Sequence, residues 1–175
     1  MSKAYLDVET SFQNKLTIVG MYRPDRQAFL QLVGSGISAA SILEFLEGSK
    51  TISTYNGRRF DLPMIERNLG LNLSREFAIQ DLMYDCWRRN LYGGLKAVEE
   101  LLGIPRTIYG RDDDDPRLLW VRHRKYGDPE ALETLLAYNR EDVLNLLLVE
   151  RQLRKRSHLL NVNVPVRHYV CVGVG

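Results

Sequence analysis

The chain has 175 residues, 45% of them hydrophobic and 26% charged, which suits one compact domain with a sizeable core, or a domain and a short tail. Its 24 basic and 22 acidic residues leave a net charge of only +2, so overall charge does not announce a polyanion binder. Cys86 and Cys171 stand far apart, which indicates neither a disulfide framework nor a zinc site, and no apolar run approaches the ~20 residues of a membrane-spanning helix.

The first third reads as β-rich. KAYLDVE, NKLTIVGMYR and QAFLQLVG are separated by the short breaks SFQ and RPDR, as antiparallel neighbours joined by tight turns would be. ISAASILEFLEG switches to helical spacing, with Ile37, Ala40, Ile42 or Leu43, and Leu46 on one side; Gly48 stands where a helix-ending glycine is expected. TISTYN reads as a short strand, DLPMIERNLG as a short helix with Pro63 in its first turn, and EFAIQDL as another strand. The remainder is helical almost throughout, broken at Gly93-Gly94, Gly103-Ile104-Pro105 and Gly127-Asp128-Pro129. Three strands in a meander followed by crossovers and helices predict an α/β layer fold with a mixed sheet. The domain is expected over residues 1–158, with 159–175 as a tail or an added edge strand. Because the first strand begins at once, no leader is expected and the cytoplasm is the expected location.

Three segments place carboxylates where packing alone would not. Residues two apart in a strand share a face, so Asp7 and Glu9 project together, about 7 Å apart along the backbone. Tyr5 stands beside them, while Ala4, Leu6 and Val8 face the other way. An exposed edge strand would explain the pair, and so would a divalent cation that offsets two like charges. On the last long helix Leu132, Leu135, Leu136, Val143, Leu146, Leu147, Val149 and Leu153 form one apolar sector, and Asp142 falls inside it. Tyr138, one turn earlier, projects alongside. Glu133, Arg140 and Glu141 occupy the opposite side. Asp61, in TYNGRRFDLPMI, reads both as the cap of a helix starting at Leu62 and as a site residue at the end of the sheet. Oxygen donors from three segments suit Mg²⁺ or Mn²⁺ rather than zinc, and two such ions are the apparatus of phosphoryl transfer.

Asp7-Val8-Glu9, the NxxxFD run from Asn56 to Asp61, and the YxxxD run from Tyr138 to Asp142 resemble the three exonuclease motifs of the DEDD superfamily. These are 3′-to-5′ exonucleases of the ribonuclease H-like fold, also found as the proofreading domain of family B DNA polymerases. GLKAVEELLGI, with Lys96 and Glu99, and AYNREDVLNLL make residues 3–155 similar to the YprB-type ribonuclease H-like domain family. The resemblance implies a five-stranded mixed sheet of order 3-2-1-4-5, with strand 2 antiparallel. It implies Asp7, Glu9, Asp61 and Asp142 as ligands of two Mg²⁺ or Mn²⁺ ions, with Asp7 bridging them. Tyr138 would orient the attacking water, which is the tyrosine subtype, since Ala137 stands where the histidine subtype needs His. Asn56 would steady the substrate or its loop.

Arg58 and Arg59 precede Asp61 in the loop, and Lys96 begins an amphipathic helix; phosphate contact is one reading of each, a solvated charge the other. Basic clusters at Arg122 to Lys125 and Arg154 to Arg156 read either as backbone trackers or as solvated faces. Asp81 reads as a helix cap, the run Asp112 to Asp115 as a mobile acidic loop rather than a holder of an extra cation, and Trp87 and Tyr92 as core aromatics or base-stacking groups. The leading expectation is an exonuclease acting on single-stranded DNA or RNA ends, alone or within a larger assembly, with no membrane partner. An endonuclease of the same fold and an inactive nucleic-acid-binding module are the alternatives. The full set of four carboxylates and Tyr138 argues against the last.

Overall fold

Strand β1 (Lys3–Thr10) organises the sheet because its two faces differ chemically. Ala4, Leu6 and Val8 are buried on one side and Tyr5 on the other, the alternation of an extended chain. The computed structural model describes residues 2–107, 115–155 and 167–173. In it β1 pairs antiparallel with β2 (Leu16–Arg23), and β2 pairs antiparallel with β3 (Ala28–Val33). On its other edge β1 lies parallel to β4 (Thr51–Thr54), which lies parallel to β5 (Ala78–Asp81). A sixth strand, β6 (Arg167–Val172), adds parallel to β3, so the order is β5-β4-β1-β2-β3-β6.

The expected five-strand order and the antiparallel second strand are present, with one strand more than the resemblance implied. Of the C-terminal stretch, 167–172 is an added edge strand, and 159–166 lie outside the described residues.

Helices cover both faces. α1 (Ala39–Leu46), α2 (Asp61–Leu69) and α3 (Leu73–Glu76) bury Ile42, Leu46, Leu62, Ile65 and Leu73 against the face of Ala4, Leu6 and Val8. α4 (Leu82–Trp87), α5 (Leu95–Leu101) and α7 (Pro129–Arg154) bury Leu82, Cys86, Val98, Val143 and Leu146 on the face of Tyr5 and Tyr22. α6 (Pro116–Tyr126) packs Leu119 with Ala131 and Leu135 of α7 over Ile18 and Val33. Each fully buried aliphatic side chain in these layers contributes about 1.5–3 kcal/mol.

Local chemistry sets the helix ends. Gly127, at φ 65°, ends α6 in the left-handed conformation. The next residue, Asp128, accepts from the Ala131 amide at 3.1 Å to cap α7, with Pro129 in its first turn. Asp115 accepts from the Arg117 amide at 2.9 Å and caps α6; it is a cap rather than part of a mobile acidic loop. Residues 112–114 lie outside the described residues.

α7 departs from its expected two-sided pattern. β1 and β2, together with α4, α5 and α6, pack around it, so it buries Asn139, Asp142, Asn145 and Glu150 as well as its apolar sector. Arg140, expected on the solvent side, lies with its guanidinium 5.9 Å from the Phe29 ring centre. Leu132 and Leu136 are only partly buried.

Candidate metal centre

β4 pairs with β1 only from Lys3 to Tyr5, whereas β2 continues alongside as far as Thr10. Asp7, Val8 and Glu9 therefore run past the end of β4, at the C-terminal edge of the parallel strands, where α/β sheets build their sites. α7 crosses this point and delivers Asp142. One carboxylate oxygen each from Asp7, Glu9 and Asp142 lies within 4.8 Å of the others.

Asp61 is brought beside this cluster but turned. α2 begins at Asp61 itself, Phe60 is its N-cap, and the Asp61 side chain makes no capping bond. The capping reading is thus corrected. Asp61 Oδ1 instead accepts from the Val8 amide at 3.0 Å, a donor that β4 ends too early to engage. Asp61 is buried and its charge acts on Asp7 and Glu9.

The electrostatics are those of crowded acids. Burial, then Asp61, Glu9 and Asp142, push the Asp7 carboxyl well above the usual range, against a hydrogen bond from Asn139. Glu9 is raised by burial, Asp142 and Asp61, with Lys96 opposing. Burial lifts Asp61 to about 7 although the Val8 amide pulls it down. Burial likewise lifts Asp142 to about 6 against the pull of Arg106. The Tyr138 hydroxyl is pushed up by burial and by Asp142 and Glu9, so it is a neutral hydrogen-bonding group here.

The three motifs contain no basic partner for these acids, and Arg106, outside them, supplies one. Its guanidinium donates to Asp142 Oδ1, pairs with Glu99 Oε2 at 2.6 Å and approaches Glu141 Oε2 at 3.4 Å. Burial works against its charge, but Asp142 and Glu99 outweigh that and hold it protonated. Shared among three acids, Arg106 leaves most of the cluster's negative charge uncompensated. Arg106 and Lys96 also stand against the Tyr138 ring, 5.7 and 4.8 Å from its centre, cation–π geometry in both cases. Arg106 follows a Gly-Ile-Pro break and belongs to no periodic pattern, so nothing local marked it. Glu99, fully buried, was visible only as part of a quoted stretch. Asn139 drew no expectation from the sequence, although its place one helical turn before Val143, within the apolar sector, could have marked it.

The residues expected to touch substrate are distributed less evenly. Lys96 faces the cluster. Arg58 is exposed and its guanidinium donates to the Ile79 carbonyl at 2.7 Å. Asn56 adopts φ 60°, and its carbonyl accepts from the amides of Arg59 and Phe60, both at 3.1 Å. Asp81 caps α4, as expected, but its carboxylate also accepts from the amides of Asn56 and Arg58. Arg59 lies against Trp87, 5.9 Å from the ring. Tyr92 is exposed rather than core. Arg122 pairs with Asp128 and Arg154 with Glu150; Arg156 lies outside the described residues.

A hard divalent cation fits this donor set. Three converging carboxylates without His or Cys suit oxygen-seeking ions, and their mutual repulsion is what such a charge relieves. A family model described as the RNase_H superfamily matches residues 4–154. The chain belongs to the RNase H superfamily. Proteins of this superfamily are usually nucleases that act on nucleic acid with divalent metals, and the mixed sheet flanked by helices is the corresponding fold. The match runs from β1 to the end of α7, so β6 lies beyond it. No curated protein gives a significant match.

Proposed function

We propose that this RNase H superfamily chain is a metal-dependent 3′-to-5′ exonuclease that releases 5′-mononucleotides from single-stranded DNA or RNA ends. The observation that carries the reading is the meeting of Asp7, Glu9 and Asp142 within 4.8 Å, with Tyr138 one helical turn before Asp142. That arrangement supports the tyrosine subtype of the DEDD exonucleases, of YprB type, to which the sequence motifs are similar. Asp7, Glu9 and Asp142, joined by Asp61, would hold two Mg²⁺ or Mn²⁺ ions. Ions of this kind supply activation of water and charge relief on the leaving oxygen.

The chain's own groups do the rest. Tyr138, neutral and braced by Lys96 and Arg106, orients the attacking water through its hydroxyl. Lys96 contacts the phosphate backbone. Arg58 keeps free donors beyond the one given to Ile79 and serves the same end, and Asn56 holds the turn that carries both Arg58 and Asp61. With a net charge of +2, binding rests on these local contacts, and each phosphate engaged adds about 0.7 to the salt dependence on a single strand. A paired end must fray before it reaches the carboxylates, which costs a few kcal/mol.

Time courses with Mn²⁺ on 5′-labelled single-stranded and blunt duplex oligonucleotides test the proposal. A ladder shortening from the 3′ end, faster on the single strand, is the expected result. Internal fragments as the limit digest would make the chain an endonuclease, and binding without cleavage would make it an inactive module.

A further inference from the structure

We infer that Asn139 is a positioning residue for the Asp7 carboxylate and that Gln31 fixes Asn139 in the orientation this requires. The inference rests on the reading of Asp7, Glu9 and Asp142 as a metal centre.

Asp7 on β1 stands opposite Gly20 on β2, and Gly20 stands opposite Gln31 on β3. Asp7 and Gln31 are two strands apart, roughly 9–10 Å, too far to touch. Gly20 leaves a gap between them, and the Asn139 side chain descends from α7 into it. A Cβ at Gly20 would lie 2.1 Å from Asn139 Oδ1, so only glycine admits the amide there.

The hydrogen bonds then leave Asn139 one orientation. Its Nδ2 donates to Asp7 Oδ2 at 3.1 Å and reaches the Asp7 carbonyl at 3.4 Å. Its Oδ1 accepts from Gln31 Nε2 at 2.9 Å. Gln31 Nε2 gives its other hydrogen to the Leu136 carbonyl at 2.8 Å, and Gln31 Oε1 meets His168 Nε2 of β6 at 2.9 Å. Turning the Asn139 amide over would set NH₂ against NH₂ at Gln31 and oxygen against the Asp7 carboxylate. Asn139 and Gln31 are both fully buried. Two fully buried primary amides are costly unless bonded, and packing alone would be served by aliphatic residues. The chain of bonds runs from Gln31 through Asn139 to Asp7 Oδ2.

Asn145 supplies the control. It lies on the same helix, is also buried, and its Nδ2 has no partner among the described residues. The experiment is calorimetric titration of metal-free protein with Mn²⁺, alongside melting in EDTA. Asn139→Leu should weaken Mn²⁺ binding about 10- to 100-fold, the usual range when a group holding a ligand is removed. Gln31→Leu, which does not touch Asp7, should weaken it by a smaller factor. Asn145→Leu should move the melting temperature and leave Mn²⁺ affinity unchanged. If Asn139→Leu does not fold, Asn139→Ser and Gln31→Leu make the same comparison. Wild-type affinity in the Asn139 and Gln31 variants would overturn the inference while leaving the metal reading intact. Equal losses in the Asn139 and Asn145 variants would overturn it in favour of general loosening. A wild-type protein that binds no Mn²⁺ would overturn the metal reading, and this inference with it.

Discussion

Two buried acids on α7, Asp142 and Glu150, meet opposite ends of β1 and are treated in opposite ways. Glu150 accepts from Lys3 and from the Tyr5 hydroxyl and pairs with Arg154. Burial alone would raise its carboxyl, but Lys3 and Tyr5 outweigh burial and hold it below the usual range. Asp142 has one guanidinium, which it shares with Glu99 and Glu141, and faces Asp7 and Glu9; its carboxyl is raised. The strand and the helix are common to both and burial acts to raise both carboxyls; donors outweigh burial at Glu150 and do not at Asp142. A buried acid surrounded by donors serves the fold. One surrounded by other acids destabilises the fold locally, which makes it a candidate for binding.

Substitution separates the two acids most sharply. Asp142→Asn should abolish cleavage while raising the melting temperature of the metal-free protein, because it removes a repelled charge. Glu150→Gln should keep cleavage and lose about 1–3 kcal/mol of stability, the scale of hydrogen bonds to a charged group. Denaturant melts and nuclease assays on the two variants check both; a fully active Asp142→Asn protein would remove that residue from the site. Next in size is Tyr138→Phe, expected to slow the chemical step by about 10²-fold, the scale of one positioned catalytic group. Its Mn²⁺ affinity should match wild type in calorimetry, since a ring without its hydroxyl leaves the carboxylates where they are.

The pH dependence is smaller and runs in opposite directions at the two ends. Asp61 and Asp142 titrate in the folded protein at about 7 and about 6, above the ordinary carboxylate value of about 4. The folded state therefore binds protons more tightly than the unfolded one. The stability they contribute in metal-free protein is complete below pH ~4 and is lost as pH rises through 6 and 7. Glu150, with a lowered value, contributes stability that is present above pH ~4 and lost as pH falls below it. Melting temperatures measured from pH 3 to 8 in EDTA should fall less steeply between pH 4 and 6 in Asp142→Asn, with the decline towards pH 7 from Asp61 retained, and should flatten below pH 4 in Glu150→Gln.

Much of this was legible in the sequence because it follows from period. Alternation in residues 4–9 separates Asp7 and Glu9 from Ala4, Leu6 and Val8, and helical phase places Asp142 on the buried side of α7. What period cannot report is a partner distant in sequence. Arg106 meets Asp142 across 36 positions and Asn139 meets Asp7 across 132, and neither pairing leaves a trace in local spacing. Of the two readings of Asp61 only the cap fails, because capping and accepting from a neighbouring strand make the same demand on sequence, an acid at a strand-to-helix junction. Pro165 and the closing glycines fit a strand or a tail alike, and the partner that decides for β6, β3, lies far earlier in the chain.

Asp81 has a consequence for motion. A single carboxylate accepts from the Asn56, Arg58 and Met83 amides at 2.8, 3.1 and 3.2 Å, so it closes the start of α4 and the loop ahead of α2 with the same two oxygens. These segments should open as one cooperative unit rather than fraying separately. The three amide protons should then exchange with solvent deuterium at similar, slow rates, and Asp81→Ala should speed all three together. The loop bearing Asn56 and Arg58 is thereby tied to the start of α4, so a ligand docking against it would have less disorder to remove.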